Sequence, residues 1–282
     1  MDVLFNNSLQ ENLVKRIPLF RGSWLIYTTL VKAIPRKFKY CSLKENDLQL
    51  DLSDPAQFSI VKTRHGNHEI GTVNFIKKYL SPEDVFIDVG ASFGYFSYIT
   101  SKIVGDAGLV FAFEPNKTAF NQLLSTILRN KLFNVIPSNI ALGDISQTTV
   151  SMKKSLLRQS TSSYMIEGNS VLSNSLDNFI KNISTTKKIK MIKVDVEGAE
   201  LPVIKGLTDI IKTHSPFLII EPDNNSNQRY GFQFNEVISF LKNLEYAPRF
   251  CLEPNNQGRI IPYSADIQHC SVAFSHTSLK NL

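Results

Sequence analysis

The sequence predicts an α/β fold: a mostly parallel β-sheet with helices on both faces. Short apolar runs alternate with longer helical patterns along the middle of the chain. These runs are apolar throughout rather than at every second residue, which is typical of strands buried on both faces. The final part, 246–274, contains strand-like pieces and no convincing helix, so we expect an antiparallel hairpin at one edge of the sheet.

Strands and helices are predicted in alternation. The strands are 85–89, 109–113, 133–138, 189–194 and 217–220, and the helices are 94–104, 116–130, 199–212 and 234–244. A helix at 71–80 precedes the first strand, and the serine-rich stretch 144–176 contains one further strand at 148–152. Such an order is typical of a sheet whose strands are joined by crossover helices.

A chain of 282 residues is long enough for one large α/β domain with an extension. Residues 1–50 predict a basic helical extension, because Ser23 is a suitable cap for an amphipathic helix at 24–34. We assign residues 51–282 to the main domain, with its core at about 60–222.

The charge distribution bears on partners. The net charge is +6, and the segment from Lys15 to Lys44 contains lysine and arginine but no acidic residue. Such a segment attracts anionic surfaces, which indicates peripheral contact with an anionic membrane through residues 1–45, although an ordinary solvated surface also accounts for it. The core has no aromatic RNA-binding motif and no basic stripe, so we expect no nucleic-acid partner.

The cysteines and the apolar segments bear on the compartment. The three cysteines are far apart in sequence, and no pair has metal-ligand spacing, which favours a reducing compartment over a disulfide framework. The first residues do not resemble a signal peptide, and the apolar stretch 24–31 is too short to span a bilayer. We therefore expect a cytoplasmic protein.

The most informative motif is Asp88–Val89–Gly90–Ala91–Ser92–Phe93–Gly94, which links the first predicted strand to a helix. A glycine turn at this place allows a ligand to approach backbone N–H groups at a helix N-terminus. The spacing is not the Gly-x-Gly-x-x-Gly of dehydrogenases, which argues against an NAD-dependent oxidoreductase. The acid before the first glycine would repel a pyrophosphate and suits a cationic ligand group.

Two further acidic motifs follow later strands. Glu114 ends the second strand, where an acidic residue accepts both hydroxyls of a ribose, although a helix-capping role is the simpler alternative. Lys193–Val194–Asp195–Val196–Glu197–Gly198–Ala199–Glu200 places three acids at the mouth of the sheet. Acids at a helix N-terminus are stabilised by the helix dipole, but a carboxylate at Asp195 is also placed to orient or deprotonate a substrate hydroxyl.

Taken together, the three motifs resemble the FkbM family of S-adenosylmethionine-dependent methyltransferases. The resemblance covers about residues 60–222 and departs at Ser92, where the family usually has Asn. It implies a seven-stranded class I methyltransferase sheet (Rossmann-like), S-adenosyl-L-methionine as cofactor, and methyl transfer to an oxygen. Family members act on hydroxyls of sugars, polyketides and related products.

The resemblance also implies roles for individual residues. The cofactor loop matches at Asp88, Gly90, Ala91 and Gly94, and the ribose acid at Glu114. By analogy with the wider class, Asn139 follows the third strand, where a polar side chain meets the adenine amino group. An ordinary turn residue is the alternative for Asn139.

Asp195 is the predicted catalytic residue, as general base or as a substrate-orienting group, with helix capping as the alternative. Other candidates near the strand ends are Glu197, Glu200 and Glu221, and the candidate histidines are His65, His68 and His214. Carboxylates at neighbouring strand ends suit Mg²⁺, as at Asp195, Glu221 and Asp223, but the signal is weak and we predict no metal.

The sequence thus predicts an O-methyltransferase that acts on a hydroxyl of a saccharide, a lipid-linked glycan or a secondary metabolite. The alternative from another class is a non-catalytic S-adenosylmethionine-binding or nucleic-acid-binding module on the same fold. Turnover of a hydroxyl substrate distinguishes the two.

Overall fold

The computed structural model describes residues 3–4, 40–43, 48–52, 54, 57, 60, 68–144, 148–154, 163–167, 171–183, 187–222, 230–252, 258–265 and 270–279. The strands are β1 (Val3–Leu4), β2 (Tyr40–Leu43), β3 (Gln49–Asp51), β4 (Val85–Val89), β5 (Leu109–Phe113), β6 (Val135–Ser138), β7 (Ala141–Leu142), β8 (Thr148–Lys154), β9 (Ser163–Glu167), β10 (Val171–Asn174), β11 (Ile189–Val194), β12 (Phe217–Ile220), β13 (Tyr246–Leu252), β14 (Ile260–Pro262) and β15 (Ser271–His276). The helices are α1 (Ile70–Tyr79), α2 (Tyr95–Val104), α3 (Lys117–Asn130), α4 (Leu176–Lys181), α5 (Glu200–Lys205), α6 (Thr208–His214) and α7 (Phe234–Asn243).

The central sheet has eight strands in the described part of the chain, in the order β14-β13-β15-β12-β11-β4-β5-β6. The strands from β12 to β6 are parallel to one another. At the other edge, β15 is antiparallel to both β12 and β13, and β14 pairs antiparallel with β13. The predicted parallel sheet with an antiparallel edge is confirmed, and β14 adds one strand to the seven expected.

The strand order places the ligand crevice. The chain runs outward from β4 through β5 to β6, and then returns to β11 on the other side of β4. The order therefore reverses between β4 and β11. Ligands of open α/β sheets bind beyond the carboxyl ends of the strands at such a reversal.

Two apolar layers cover the sheet because alternate residues of its strands point to opposite faces. Phe86 and Met191 belong to the layer under α1 and α2. Ile87 and Ile192 belong to the layer under α5, α6 and α7. Burial on both faces explains why these strands read as continuous apolar runs.

The helix predicted at 199–212 is wrong in one respect, because the structure divides it into α5 and α6. Gly206 marks the break. A Cβ at this position would lie 1.9 Å from Gly143 O, and the Gly206 carbonyl accepts a hydrogen bond from Asp177 N–H at 3.0 Å. This close approach to neighbouring backbone takes the carbonyl out of the helix.

Two small sheets accompany the central one. The predicted strand at 148–152 is confirmed by β8, which belongs to a four-stranded sheet of order β7-β10-β8-β9. In the predicted extension, β1, β2 and β3 form a three-stranded sheet, and Cys41, Leu48 and Leu50 join the apolar layer under α1 and α2. The helix predicted at 24–34 lies outside the described residues, and the boundary at residue 50 stays a prediction.

Within the described ranges, no helix is both long and apolar enough to cross a membrane. All three cysteines are buried and unbridged.

Candidate active site at the carboxyl ends of the central strands

Asp88 lies near the end of β4, opposite Lys193 of β11 in the strand register. Its side chain is buried and accepts a hydrogen bond from Ser97 Oγ of α2 at 2.6 Å. Burial raises the pKa of Asp88 above its ordinary value, while the Lys193 ammonium and the Ser97 hydroxyl act in the opposite direction. Asp88 is therefore a carboxyl group held in place below the glycine turn.

The glycine turn folds back onto the end of β5. The backbone N–H groups of Gly90 and Ala91 both donate to Phe113 O at 2.9 Å, and that of Gly94 donates to Ala91 O at 2.8 Å. The sequence led us to expect N–H groups available to a ligand here. These three are instead engaged within the protein, so the turn contributes shape and nearby acids rather than these donors.

Gly90 brings the first and third sequence motifs into direct contact. It adopts the left-handed region with φ of 83°, and a Cβ at this position would lie 1.8 Å from Asp195 O. Asp195 N–H also donates to Val89 O at 3.0 Å. Only glycine allows the two loops to approach this closely, which fixes Asp195 beside the turn.

Glu114 follows β5, and its carboxylate joins the turn to α3. Its two oxygens accept the backbone N–H groups of Ser92 at 2.9 Å and Asn116 at 2.8 Å. The cap of α3 is Asn116, whose Oδ1 accepts two N–H groups of the first turn, so Glu114 is not the helix cap that we considered. Burial raises the pKa of Glu114 to about 7, although both N–H donors oppose the increase.

Asn139 follows β6 and is tied to the same corner. Its Nδ2 donates to Glu114 O at 2.8 Å and to Pro115 O at 3.1 Å. The amide nitrogen is therefore occupied, and the Oδ1 acceptor is the end left to meet a donor such as an exocyclic amino group.

Asp195 lies beyond β11 and is paired with a residue that sequence reasoning did not select. Its Oδ2 accepts a hydrogen bond from Lys193 Nζ at 2.8 Å, and the Lys193 side chain is buried. The same ammonium lies 4.6 Å from the centre of the Phe96 ring. A lysine inside an apolar strand was the available signal, since buried lysine requires a partner.

Glu221 follows β12 in the same crevice, and its N–H donates to Val194 O at 3.0 Å. Repulsion from the Asp195 carboxylate, together with burial, raises the pKa of Glu221 well above its ordinary value. Glu69, which precedes α1, adds to that repulsion, and Lys193 opposes it. The crevice is thus acidic around one buried ammonium.

Other candidates lie elsewhere or have local partners. His214 Nδ1 accepts Ile189 N–H at 3.2 Å at the start of β11, which is the opposite end of the strand from the crevice. Glu200 is buried, and its Oε1 accepts Gly198 N–H at 2.9 Å, so it holds the turn that precedes α5. His65 and Asp223 lie outside the described residues. Among the residues described, no group of three potential metal ligands is assembled.

The corner around Glu114 fits a nucleoside with two hydroxyl donors. An ionised carboxylate offers about four lone-pair sites, and the backbone occupies one on each Glu114 oxygen, which leaves acceptor capacity for hydroxyls. The acidic crevice around Asp88 and Asp195 fits a ligand that carries positive charge. S-adenosylmethionine has both properties, so the residues present fit that cofactor.

The strand order and the strand-end acids define a class I methyltransferase fold. A family model described as the Methyltransferase FkbM domain matches residues 88–248, more than half of the chain. This chain therefore belongs to the FkbM methyltransferase family, and it is an S-adenosylmethionine-dependent methyltransferase.

Three individual proteins that this chain resembles share 25% or less of its sequence. The hexuronic acid methyltransferase AglP of Haloferax volcanii is 25% identical over 206 residues, which is 68% of this chain and 83% of that protein. Among solved structures, an rRNA methylase homologue from Clostridium thermocellum is 12% identical with a TM-score of 0.46, covering 72% of this chain and 92% of that one. The methyltransferase FkbM from Methylobacillus flagellatus is 12% identical with a TM-score of 0.43, covering 78% and 54%.

Proposed function

We propose that this protein transfers a methyl group to a hydroxyl of a saccharide, a lipid-linked glycan or a secondary metabolite, and we favour the saccharide. The observation that carries the proposal is Asp195, a part-exposed carboxylate held at the carboxyl end of β11 beside the cofactor turn. A sugar hydroxyl is a weak nucleophile until its proton leaves, so a carboxylate within reach of it has a clear chemical use.

The donor side of the proposal rests on residues at the ends of β4, β5 and β6. Glu114 binds the ribose hydroxyls, and Asn139 Oδ1 accepts from the adenine amino group. Asp88, below the turn formed by Gly90, Ala91 and Gly94, faces the cationic amino acid portion of the cofactor. The bound cofactor supplies an electrophilic sulfonium methyl group.

The acceptor side rests on the Asp195 carboxylate. Lys193 engages Oδ2, so Oδ1 is the oxygen that orients the acceptor hydroxyl and takes its proton. Alignment of the hydroxyl with the donor accounts for much of the expected acceleration, since correct placement is worth about 7–11 kcal/mol in well-oriented reactions.

The saccharide class draws support from one relative. AglP is named for a hexuronic acid, and its match spans two thirds of this chain. The site itself favours a hydroxyl over a carboxylate as acceptor, because the described crevice is acidic and its buried ammonium is already engaged by Asp195.

A labelling experiment tests the proposal. The full chain is incubated with S-adenosylmethionine labelled in its methyl group and with p-nitrophenyl glycosides of glucose, galactose, N-acetylglucosamine and glucuronic acid, with total RNA as a separate arm. We expect labelled glycoside in which the label survives mild alkali, as a methyl ether does. Label released by alkali would indicate a carboxyl acceptor, and labelled RNA with unlabelled sugars would favour the nucleic-acid alternative.

The basic segment supports a second, separate proposal. We infer that residues 1–45 contact anionic membrane, since the segment from Lys15 to Lys44 is basic and contains no acid. The cytoplasmic location expected from the separated cysteines stays a proposal. Flotation with phosphatidylglycerol vesicles should recover the wild type and lose the Arg36→Gln, Lys37→Gln, Lys39→Gln variant. Equal recovery of both proteins would contradict membrane contact through this segment.

A further inference from the structure

Lys193 is a charged residue in the middle of the protein core. It lies on β11 opposite Asp88 of β4, and almost none of its surface is exposed. A buried ammonium is retained only where carboxylates and hydrogen bonds compensate for the water that it loses. The carboxyl groups around Lys193 therefore indicate the role of its ammonium.

The strand geometry directs this ammonium to the acceptor end of the site. Residues two apart on a strand share a face, so Lys193 points into the layer under α1 and α2, as Met191 does. Asp195 follows two residues later, just past the end of the strand. Lys193 Nζ and Asp195 Oδ2 are 2.8 Å apart, so the pair joins a side chain in the core to one at the surface of the crevice.

Four carboxyl groups from separate segments around the crevice act on the Lys193 ammonium: Asp195, Glu69, Glu221 and Asp88. Burial by itself lowers the pKa of Lys193, but the surrounding carboxylates outweigh it, so that the pKa is raised and the side chain stays charged. Phe96 of α2 lies under the ammonium. The titratable groups around the site are Asp88 from β4, Asp195 and Glu197 from the loop after β11, Glu221 after β12, and His68 and Glu69 before α1.

We propose that Lys193 is a positioning residue for methyl transfer: it holds one oxygen of Asp195, leaves the other directed at the acceptor hydroxyl, and is the counter-ion of Glu221. The inference rests on the proposed role of Asp195. Lys193 touches neither donor nor acceptor, so it acts through the two carboxyl groups.

Removal of the ammonium has two consequences. Asp195 loses the contact that fixes its orientation, and a misplacement of about 1 Å can cost about 100-fold in rate. Glu221, whose N–H bonds to Val194 O next to Lys193, loses the cation that opposes its protonation, so its pKa should rise further.

The test compares Lys193→Met with Lys193→Arg and with the control Lys190→Met in the full chain. Lys190 is on the same strand and also lies near an aromatic ring, at 5.6 Å from the centre of Phe217, but it is at the far end of β11 from the crevice. The first readout needs no acceptor: the Glu221 carboxyl carbon is followed by ¹³C NMR against pH, with S-adenosylhomocysteine bound. The second is kcat and KM with the glycoside that the wild type methylates best.

We expect the Glu221 titration to move upward in Lys193→Met, to stay in place in Lys190→Met, and to return toward the wild-type midpoint in Lys193→Arg. We also expect kcat to fall about 100-fold, while KM for S-adenosylmethionine changes less than about threefold. An unchanged Glu221 titration in Lys193→Met would overturn the inference.

A double variant covers the case in which Lys193→Met does not fold. Lys193→Met with Asp195→Asn leaves neither member of the pair charged, and it should be no slower than Asp195→Asn alone. A further loss in the double variant with no upward move of the Glu221 titration would overturn the inference, because Lys193 would then act through a group other than these two carboxyls. If Asp195→Asn itself keeps wild-type kcat, the proposed role of Asp195 fails, and the Glu221 titration still decides whether Lys193 is its counter-ion.

Discussion

The Glu114 carboxylate accepts the backbone N–H of Ser92 at 2.9 Å, although the two residues are 22 positions apart. Through this bond, the acid proposed to bind ribose also holds the tip of the glycine turn. The other oxygen of Glu114 accepts the backbone N–H of Asn116, so this one side chain joins the turn after β4 to the start of α3. The donor end of the site is therefore a single hydrogen-bonded unit.

Ser92 provides a first test of that unit. It has φ of 51°, in the left-handed region, where Asn is more readily accommodated than Ser. We expect Ser92→Asn to keep the Glu114 bond, which uses only backbone, and to raise the free energy of unfolding by up to about 1 kcal/mol. Ser92→Val should lower it, because a branched side chain disfavours this conformation. Urea denaturation measures both, and a stabilised Ser92→Val would contradict the interpretation.

Glu114 gives the cofactor affinity a defined pH dependence. Its pKa is raised to about 7 in the free protein, and ribose hydroxyls need the ionised form as acceptor. Below pH 7 the proton must leave before binding, so affinity for S-adenosylhomocysteine should fall by up to about tenfold per pH unit. Calorimetry between pH 5.5 and about 8 measures this. Glu114→Gln should bind weakly with a flatter profile, and an equally steep profile in Glu114→Gln would assign the dependence to another group.

Alanine substitutions at Gly90 and Gly105 distinguish the cost of a steric clash from the cost of backbone strain alone. Both have positive φ, but a Cβ would lie 1.8 Å from Asp195 O at Gly90 and meets nothing within 4 Å at Gly105. Gly105→Ala should cost only the backbone strain of its conformation, φ 67° with ψ −175°, which is about 1–3 kcal/mol. Gly90→Ala must also separate the turn from Asp195, so it should cost more and abolish cofactor binding. Equal losses of stability in thermal unfolding would refute the proposed contact.

Asp177 caps the N-terminus of α6, and its replacement tests how much that cap stabilises the fold. Its two oxygens accept Asp209 N–H and Ile210 N–H at 2.9 Å, so it caps α6 across space. Asp177→Ala should lower the free energy of unfolding by about 1–2 kcal/mol. Lys181→Ala removes an exposed ion pair with Asp209, which water screens, so it should lower the free energy of unfolding less than Asp177→Ala does. The reverse order of the two losses in urea denaturation would contradict the capping role.

Much of the central sheet could be predicted because its strands are buried on both faces and are continuous in hydrophobicity. The strand predicted at 85–89 has the same bounds as β4, and 189–194 has the same bounds as β11. The sequence placed all three motifs at strand ends, and the carboxyl ends of parallel strands lie at the same side of a sheet. The backbone contact between Gly90 and Asp195 bears out that adjacency.

The features that could not be predicted are contacts whose partners the local sequence does not reveal. Asp177 caps a helix that begins about thirty residues later, and nothing in the sequence around it indicates that partner. Gly206 carries no local signal that another backbone approaches it. Lys193 was passed over because an isolated lysine in a strand gives no indication of which carboxylate it pairs with. Its partner Asp195 is identified only by the orientation of the strand end.

The most direct test of the account is calorimetric titration of the full chain with S-adenosylhomocysteine at pH 8. Asp88→Asn and Glu114→Gln should each weaken binding about tenfold or more, as expected for lost contacts to a charged group. The control variant Asp106→Asn replaces an exposed aspartate before β5, at the amino-terminal end of the strands and away from the crevice. It should bind S-adenosylhomocysteine as the wild type does. Absence of binding by the wild type, or equal affinity in all four proteins, would contradict the site proposed at the ends of β4 and β5.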